Sequence, residues 1–174
     1  MFADPSNIRT LIEQHELITL GGSRYLLVEF DFGLPGSVLL RTLEAIAQRG
    51  LVPVVAHPER YDAVQRDPGL AAWCFSRGML LQLNKGSLLG LLGSRAEDTA
   101  LHLLSHGLAH LIASDAHDDR FRTTGFRSLL PVLEPICHPD YIALLLHGNP
   151  RRILRDEPIP IPPLQSDRPA GGFS

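Results

Sequence analysis

Four short, largely apolar runs constrain this chain more than any other feature: Tyr25–Val28, Leu51–Ala56, Met79–Leu83 and Ala109–Ala113. Each has the length of a strand. Apolar residues at consecutive rather than alternate positions suit strands covered on both faces, as in parallel sheets. Stretches long enough for helices separate the runs. Residues 37–49 place Val38, Leu39, Leu43 and Ile46 on one face, with Arg41, Glu44 and Arg49 elsewhere and Gly50 at a left-handed cap position. Residues 59–78 read as helical with a break near Pro68, and residues 84–94 as a Gly/Ser loop. Ser94-Arg-Ala-Glu97 predicts a capping box opening a helix that ends at Gly107. Strand–helix alternation of this kind predicts a mainly parallel sheet with helices outside, open or barrel-like.

The flanks are less regular. A helix is expected over 5–15, a short strand over Leu17–Leu20 and a turn at Gly21-Gly22. Further helices are expected over 126–134, 139–146 and 150–155, the last capped by Asn149 with Pro150 in its first turn. From Glu157 onward, Pro158, Pro160, Pro162, Pro163 and Pro169 exclude helix and central strand. The expectation is one folded domain over 1–156 and an extended, disordered tail over 157–174.

Several function classes are disfavoured by composition. A net charge of −3 and a pI near 6.2 do not match the basic footprint of a nucleic-acid binder. No apolar run approaches the roughly 18 residues of a membrane span, and the N-terminus lacks the basic-then-apolar order of a signal peptide. Cys74 and Cys137 stand in no motif and read as reduced thiols of a cytoplasmic protein. Cys74 also opens no Cys-x5-Arg loop, so cysteine-based phosphatase chemistry is not expected.

The chemistry collects where the runs stop. The first ends in Glu29, the second in His57-Pro58-Glu59-Arg60, the last in Asp115-x-His117. Ligands of parallel α/β folds bind at the carboxyl ends of strands. Carboxylates and imidazoles without sulfur suit Mn, Fe or Zn. Arg60 offers a planar fork for an anionic group such as phosphate. Each residue also has a plainer reading. Asp115 and His117 can be a helix cap and a surface histidine, His57 a structural strand end, and Glu29 an ion-pair partner. Arg60 can pair with Glu59 or Asp62. Weaker signals are His102 and His106, four apart without the Glu of a His-Glu-x-x-His motif, and the glycine-spaced Gly86–Gly93, which lacks the Lys-Ser/Thr ending of a phosphate loop. The first reads as a surface helix face. The second reads as a tight loop from which Asn84 or Ser87 could line the site. Arg120, Arg122 and Arg127 follow the Asp-x-His motif and could attract anions.

Glu29 after its apolar run, His57-Pro-Glu-Arg60, Leu81-Gln-Leu-Asn-Lys-Gly-Ser-Leu-Leu-Gly90 and Ala113-Ser-Asp-Ala-His117 occur in this order in one family. Over residues 5–156 the chain resembles the PHP-domain protein-tyrosine phosphatases of the capsule and exopolysaccharide type, the CpsB/YwqE family. The resemblance implies a distorted (β/α)7 barrel with a cluster of two or three metal ions, usually Mn2+, at the strand ends. It implies removal of phosphate from the phosphotyrosine tail of a bacterial tyrosine autokinase, by direct attack of water and without a phosphoenzyme. By position, Glu29, His57, Asp115 and His117 become metal ligands and Arg60 the phosphate binder, with Arg60, His57 and Asp115 carrying catalysis. Members begin with a His-x-His strand and further ligands that precede the region resembled here, so the barrel is expected to be N-terminally truncated and incomplete. Exposed parallel edges then predict a homo-oligomer. The alternatives are a catalytically silent remnant or binding module, and another PHP phosphoesterase such as a histidinol-phosphatase.

Overall fold

The computed structural model describes residues 18–115 and 125–160. Strands β1 (Tyr25–Val28), β2 (Val52–Ala56), β3 (Leu80–Asn84) and β4 (Leu111–Ala113) form one four-stranded sheet, all neighbours parallel and in sequence order. The connections carry α1 (Gly36–Ala47), α2 (Asp62–Arg66), α3 (Gly69–Ser76), α4 (Lys85–Leu88) and α5 (Ser94–Ser105). Right-handed crossovers in sequence order put the connecting helices on one face of a sheet. The burial pattern agrees. Leu26, Val28, Val55, Leu81, Leu83 and Ile112 pack with Leu39, Leu43 and Ile46 of α1, Cys74 of α3 and Leu103 of α5. The alternate residues Tyr25, Val54, Leu80 and Leu111 form a smaller cluster on the other face, closed by Ile153.

The expected parallel α/β architecture is present, and several local expectations are corrected. Leu20–Gly22 is a 3-10 turn rather than the end of a strand, because Gly21 and Gly22 adopt positive φ. The Gly/Ser loop contains the single turn α4. The capping box does not form. Gly93 is the N-cap at φ 96°, Ser94 is already helical, and the Glu97 carboxylate lies against Gly90, where an added Cβ would stand 2.9 Å from Oε2. The predicted helix over 5–15 lies outside the described residues.

The C-terminal helices hold the largest correction. A 3-10 turn over Arg127–Leu129 leads into α6 (Leu130–Leu133). Then α7 (Pro139–Ala143) passes through a π turn (Leu144–Gly148) directly into α8 (Asn149–Leu154). α8 carries Pro150 in its first turn as expected, but Asn149 is its first helical residue, at φ −67°, and not a side-chain cap. Pro150 lacks an N–H and its ring crowds the carbonyl four residues back, and the wider π turn accommodates both. The Asn149 side chain reaches across to the sheet instead. Its Nδ2 donates to the His110 carbonyl at 2.8 Å, and the residue is fully buried. Asn149→Ala is therefore expected to destabilise the fold by about 1–3 kcal/mol, read as a lower urea midpoint at unchanged m-value. Residues 157–160 run without helix or strand, as their prolines require, and Tyr25 Oη donates to the Glu157 carbonyl at 2.8 Å.

Candidate functional site

Side chains alternate along a strand, so residues two apart share a face. Tyr25-Leu27-Glu29, Leu80-Gln82-Asn84 and Leu111-Ala113-Asp115 each continue the parity of the smaller cluster past a strand end. That face, at the carboxyl edge of the sheet, is where the polar groups meet.

His57 follows β2 directly in a left-handed conformation, φ 32°. It is 3% exposed, and its Nε2 lies 3.1 Å from Glu29 Oε1. Burial holds its pKa below the ordinary histidine range, with the nearby Arg60 acting the same way, against Glu29 and Asp115. The ring is thus neutral at neutral pH, and the Glu29 contact is a hydrogen bond to a carboxylate rather than an ion pair. The other ring nitrogen, Nδ1, is buried without a partner. Edge contacts from Phe32 and Tyr61, with ring centroids 5.8 Å away in each case, fix the imidazole plane.

Two latches hold the strand-end loops around this ring. Phe30 N–H donates to Tyr61 Oη at 3.1 Å, and Asp62 N–H donates to the Phe32 carbonyl at 2.9 Å. Arg60 lies between them, its guanidinium carbon 4.3 Å from the centroid of the Phe32 ring. Cation–π contact of this kind holds a guanidinium plane while leaving its N–H edge for an anion. The plainer pairing with Glu59 fails for a structural reason. Glu59 is fully buried and turned inward, its Oε1 accepting from Asn84 N–H at 3.0 Å and Ser87 Oγ–H at 2.7 Å. Burial raises its carboxyl to about 7, the two hydrogen bonds opposing the rise only in part.

Asp115, at φ 47°, is a second non-glycine residue in the left-handed region. Its Oδ2 accepts from Asn84 Nδ2 at 2.8 Å. Glu29, His57, Arg60 and Asp115 are thus brought to one edge of the sheet as expected. His117, Arg120 and Arg122 lie outside the described residues. Among the described residues no three His, Cys, Asp or Glu side chains converge closely enough to hold a metal ion. Glu59 and the locking role of Asn84 escaped the sequence reading. Strand parity would have found Asn84; nothing local distinguishes Glu59 from a solvated carboxylate. His102 of α5 and His106 at its C-cap lie side by side, rings tilted by 36° with centroids 4.1 Å apart, and His106 Nδ1 is 2.8 Å from the His102 carbonyl. Cys74 and Cys137 are buried, reduced cysteines.

These features define a class: a parallel α/β protein with carboxylate, neutral imidazole and arginine side chains gathered at the carboxyl ends of its strands. The chain belongs to the CpsB/CapC family of capsular polysaccharide synthesis, whose sequence profile matches residues 4–155. It is 29% identical over 148 residues to the tyrosine-protein phosphatase YwqE of Bacillus subtilis, covering 85% of this chain and 58% of that protein. It is 28% identical over 151 residues to the tyrosine-protein phosphatase CpsB of Streptococcus pneumoniae, covering 84% and 62%. A chain from the crystal structures of YwqE and CpsB, described as metal-dependent tyrosine phosphatases, superposes with a TM-score of 0.79 at 28% identity, covering 91% of this chain and 64% of that one. The chain therefore spans less than two thirds of the length of these relatives.

Proposed function

We propose that this chain carries the phosphate-binding and part of the metal-binding wall of a metal-dependent protein-tyrosine phosphatase. The observation that carries the reading is the Glu29–His57–Asp115 grouping at one sheet edge, with Arg60 stacked on Phe32 beside it. Two of the donors stand at the spacing that a divalent cation requires. Ligands at roughly 2.1 Å and ~90° stand about 3 Å apart, and Glu29 Oε1 and His57 Nε2 are separated by 3.1 Å. A neutral imidazole can carry its proton on either ring nitrogen, and the tautomer with it on Nδ1 leaves the Nε2 lone pair for coordination. Glu29, His57 and Asp115, with His117, would hold the metal; oxygen and nitrogen donors suit Mn, Fe or Zn, and we take Mn2+ from the resemblance to the family.

When bound, such a cation supplies charge neutralisation of the phosphoryl oxygens. The chain's own residues supply the rest. Arg60 grips two phosphate oxygens with its planar fork, and Phe32 presents an apolar wall beside it suited to an aryl group. The domain is proposed to run over 1–156 as part of a PHP-type (β/α)7 barrel, with 157–174 as a tail. The proposed substrate is the phosphotyrosine tail of a bacterial tyrosine kinase that governs capsule or exopolysaccharide synthesis. The proposed setting is the cytoplasm, with self-association along sheet edges. No helix among the described residues is long and apolar enough to cross a membrane.

The test is turnover of a phosphotyrosine peptide by the purified chain with Mn2+. Release of phosphate that depends on Mn2+ and exceeds a His57→Ala control by at least two orders of magnitude is expected. Equal rates in the two proteins would reject the reading for this chain. Capture of a tyrosine-rich kinase tail without turnover would instead support a silent binding module.

A further inference from the structure

We propose that Asn84 is a positioning residue that aims the Asp115 carboxylate into the site; this rests on the reading of Asp115 as a site ligand given above. Asn84 is the last residue of β3 and is 2% exposed. Three of its hydrogen-bonding groups are committed. Its backbone N–H donates to Glu59 Oε1 at 3.0 Å, its Oδ1 accepts from Gly86 N–H at 2.7 Å, and its Nδ2 donates to Asp115 Oδ2 at 2.8 Å. The amide orientation is forced. Gly86 offers a donor, so the atom facing it is Oδ1, and the N–H2 end must face Asp115.

The bond matters because Asp115 sits just beyond the end of its short strand, β4. It adopts φ 47° there, a conformation that aspartate visits more readily than most non-glycine residues because its side chain can hydrogen-bond locally. The Asn84 bond ties this residue to the neighbouring strand, itself anchored through Glu59 to the turn after β2. The ends of β2, β3 and β4 are linked in this way by one buried polar chain. Partners of this kind, which orient a ligand without touching the metal, typically change metal affinity 10–100-fold when removed.

Asn84→Ser isolates the effect. Serine still caps the Gly86 N–H, being as good an N-cap as asparagine, but its hydroxyl is too short to reach Asp115. Ser87→Ala is the control, since it removes a neighbouring buried hydrogen bond, to Glu59, without touching Asp115. Mn2+ affinity is measured by calorimetric titration of protein stripped with EDTA, and thermal stability is measured in EDTA. Asn84→Ser is expected to bind Mn2+ about 10–100-fold more weakly, while Ser87→Ala loses comparable stability and keeps its affinity. Loss of affinity in both variants in proportion to lost stability overturns the proposal, as does wild-type affinity in Asn84→Ser. A crystal structure of Asn84→Ser in EDTA decides independently of any cation. The Asp115 carboxylate should leave its present position, and a carboxylate that stays overturns the assignment. A wild-type chain that binds no Mn2+ rejects instead the reading of Asp115 as a ligand, leaving the crystallographic comparison to judge the orientation.

Discussion

Arg60→Ala is expected to lower kcat/KM for a phosphotyrosine peptide on the order of 10³-fold, the scale on which arginines that stabilise transferring phosphoryl groups act. Mn2+ affinity should stay unchanged, because the Arg60 guanidinium lies over the Phe32 ring and coordinates nothing. Arg60→Lys should recover little of the loss. An ammonium offers a point charge in place of a bidentate fork, and its stacking on Phe32 differs. His57→Ala gives the contrasting pattern, because the imidazole is paired with Glu29 at 3.1 Å in the proposed coordination arc. It should lose activity and Mn2+ affinity together. The two variants therefore separate substrate binding from metal binding by calorimetry and steady-state kinetics. An Arg60→Ala protein within threefold of wild-type kcat/KM would remove Arg60 from the site.

The strand ends were legible because they depend on local rules. Apolar runs of strand length ending in Glu29, His57 and Asp115 put those residues at one edge of a parallel sheet whatever the closure of that sheet. Arg60 was readable as a candidate phosphate binder by its chemistry, but its packing was not. Whether an arginine stacks on Phe32 or pairs with Glu59 depends on where Glu59 turns, and that is decided by the Asn84 N–H and the Ser87 hydroxyl more than twenty residues away. The same limit explains Asn149. Asn-Pro is a good local helix start and α8 begins there, yet the Asn149 side chain bonds the His110 carbonyl instead of capping, and a π turn joins α8 to α7. The capping box at Ser94 likewise lost to a glycine N-cap and to a Glu97 side chain placed against Gly90.

Glu59 and His110 form a second test, of the core beneath the site, because burial shifts them in directions that oppose each other in stability. Glu59 rises from 4.5 to about 7, so between those pH values the folded state binds a proton that the unfolded state has lost. Stability from this group falls as pH rises through that window. Burial lowers His110 from 6.5 to about 4, with its Nδ1 accepting from Leu81 N–H at 3.0 Å and its ring stacked on Phe75 at 5.1 Å. Here the unfolded state binds the extra proton, so stability rises with pH between 4 and 6.5. His57, also lowered by burial, acts in the same sense as His110. Each of the two valued shifts amounts to about 3 kcal/mol over its full window, and across pH 4.5–6.5 they largely cancel. In the metal-free wild type the Glu59 and His110 slopes should therefore offset each other over that range, leaving the rise that His57 contributes. Glu59→Gln should expose the histidine slope, gaining about 3 kcal/mol between pH 4 and 6.5. His110→Asn keeps an acceptor for the Leu81 N–H. It should expose the opposite slope, losing stability as pH rises towards 7. Urea unfolding in EDTA across pH 4–8 measures all three. A Glu59→Gln protein with the same slope as the wild type would mean that Glu59 is ionised in the native core at low pH, held there by the Asn84 and Ser87 hydrogen bonds against its burial.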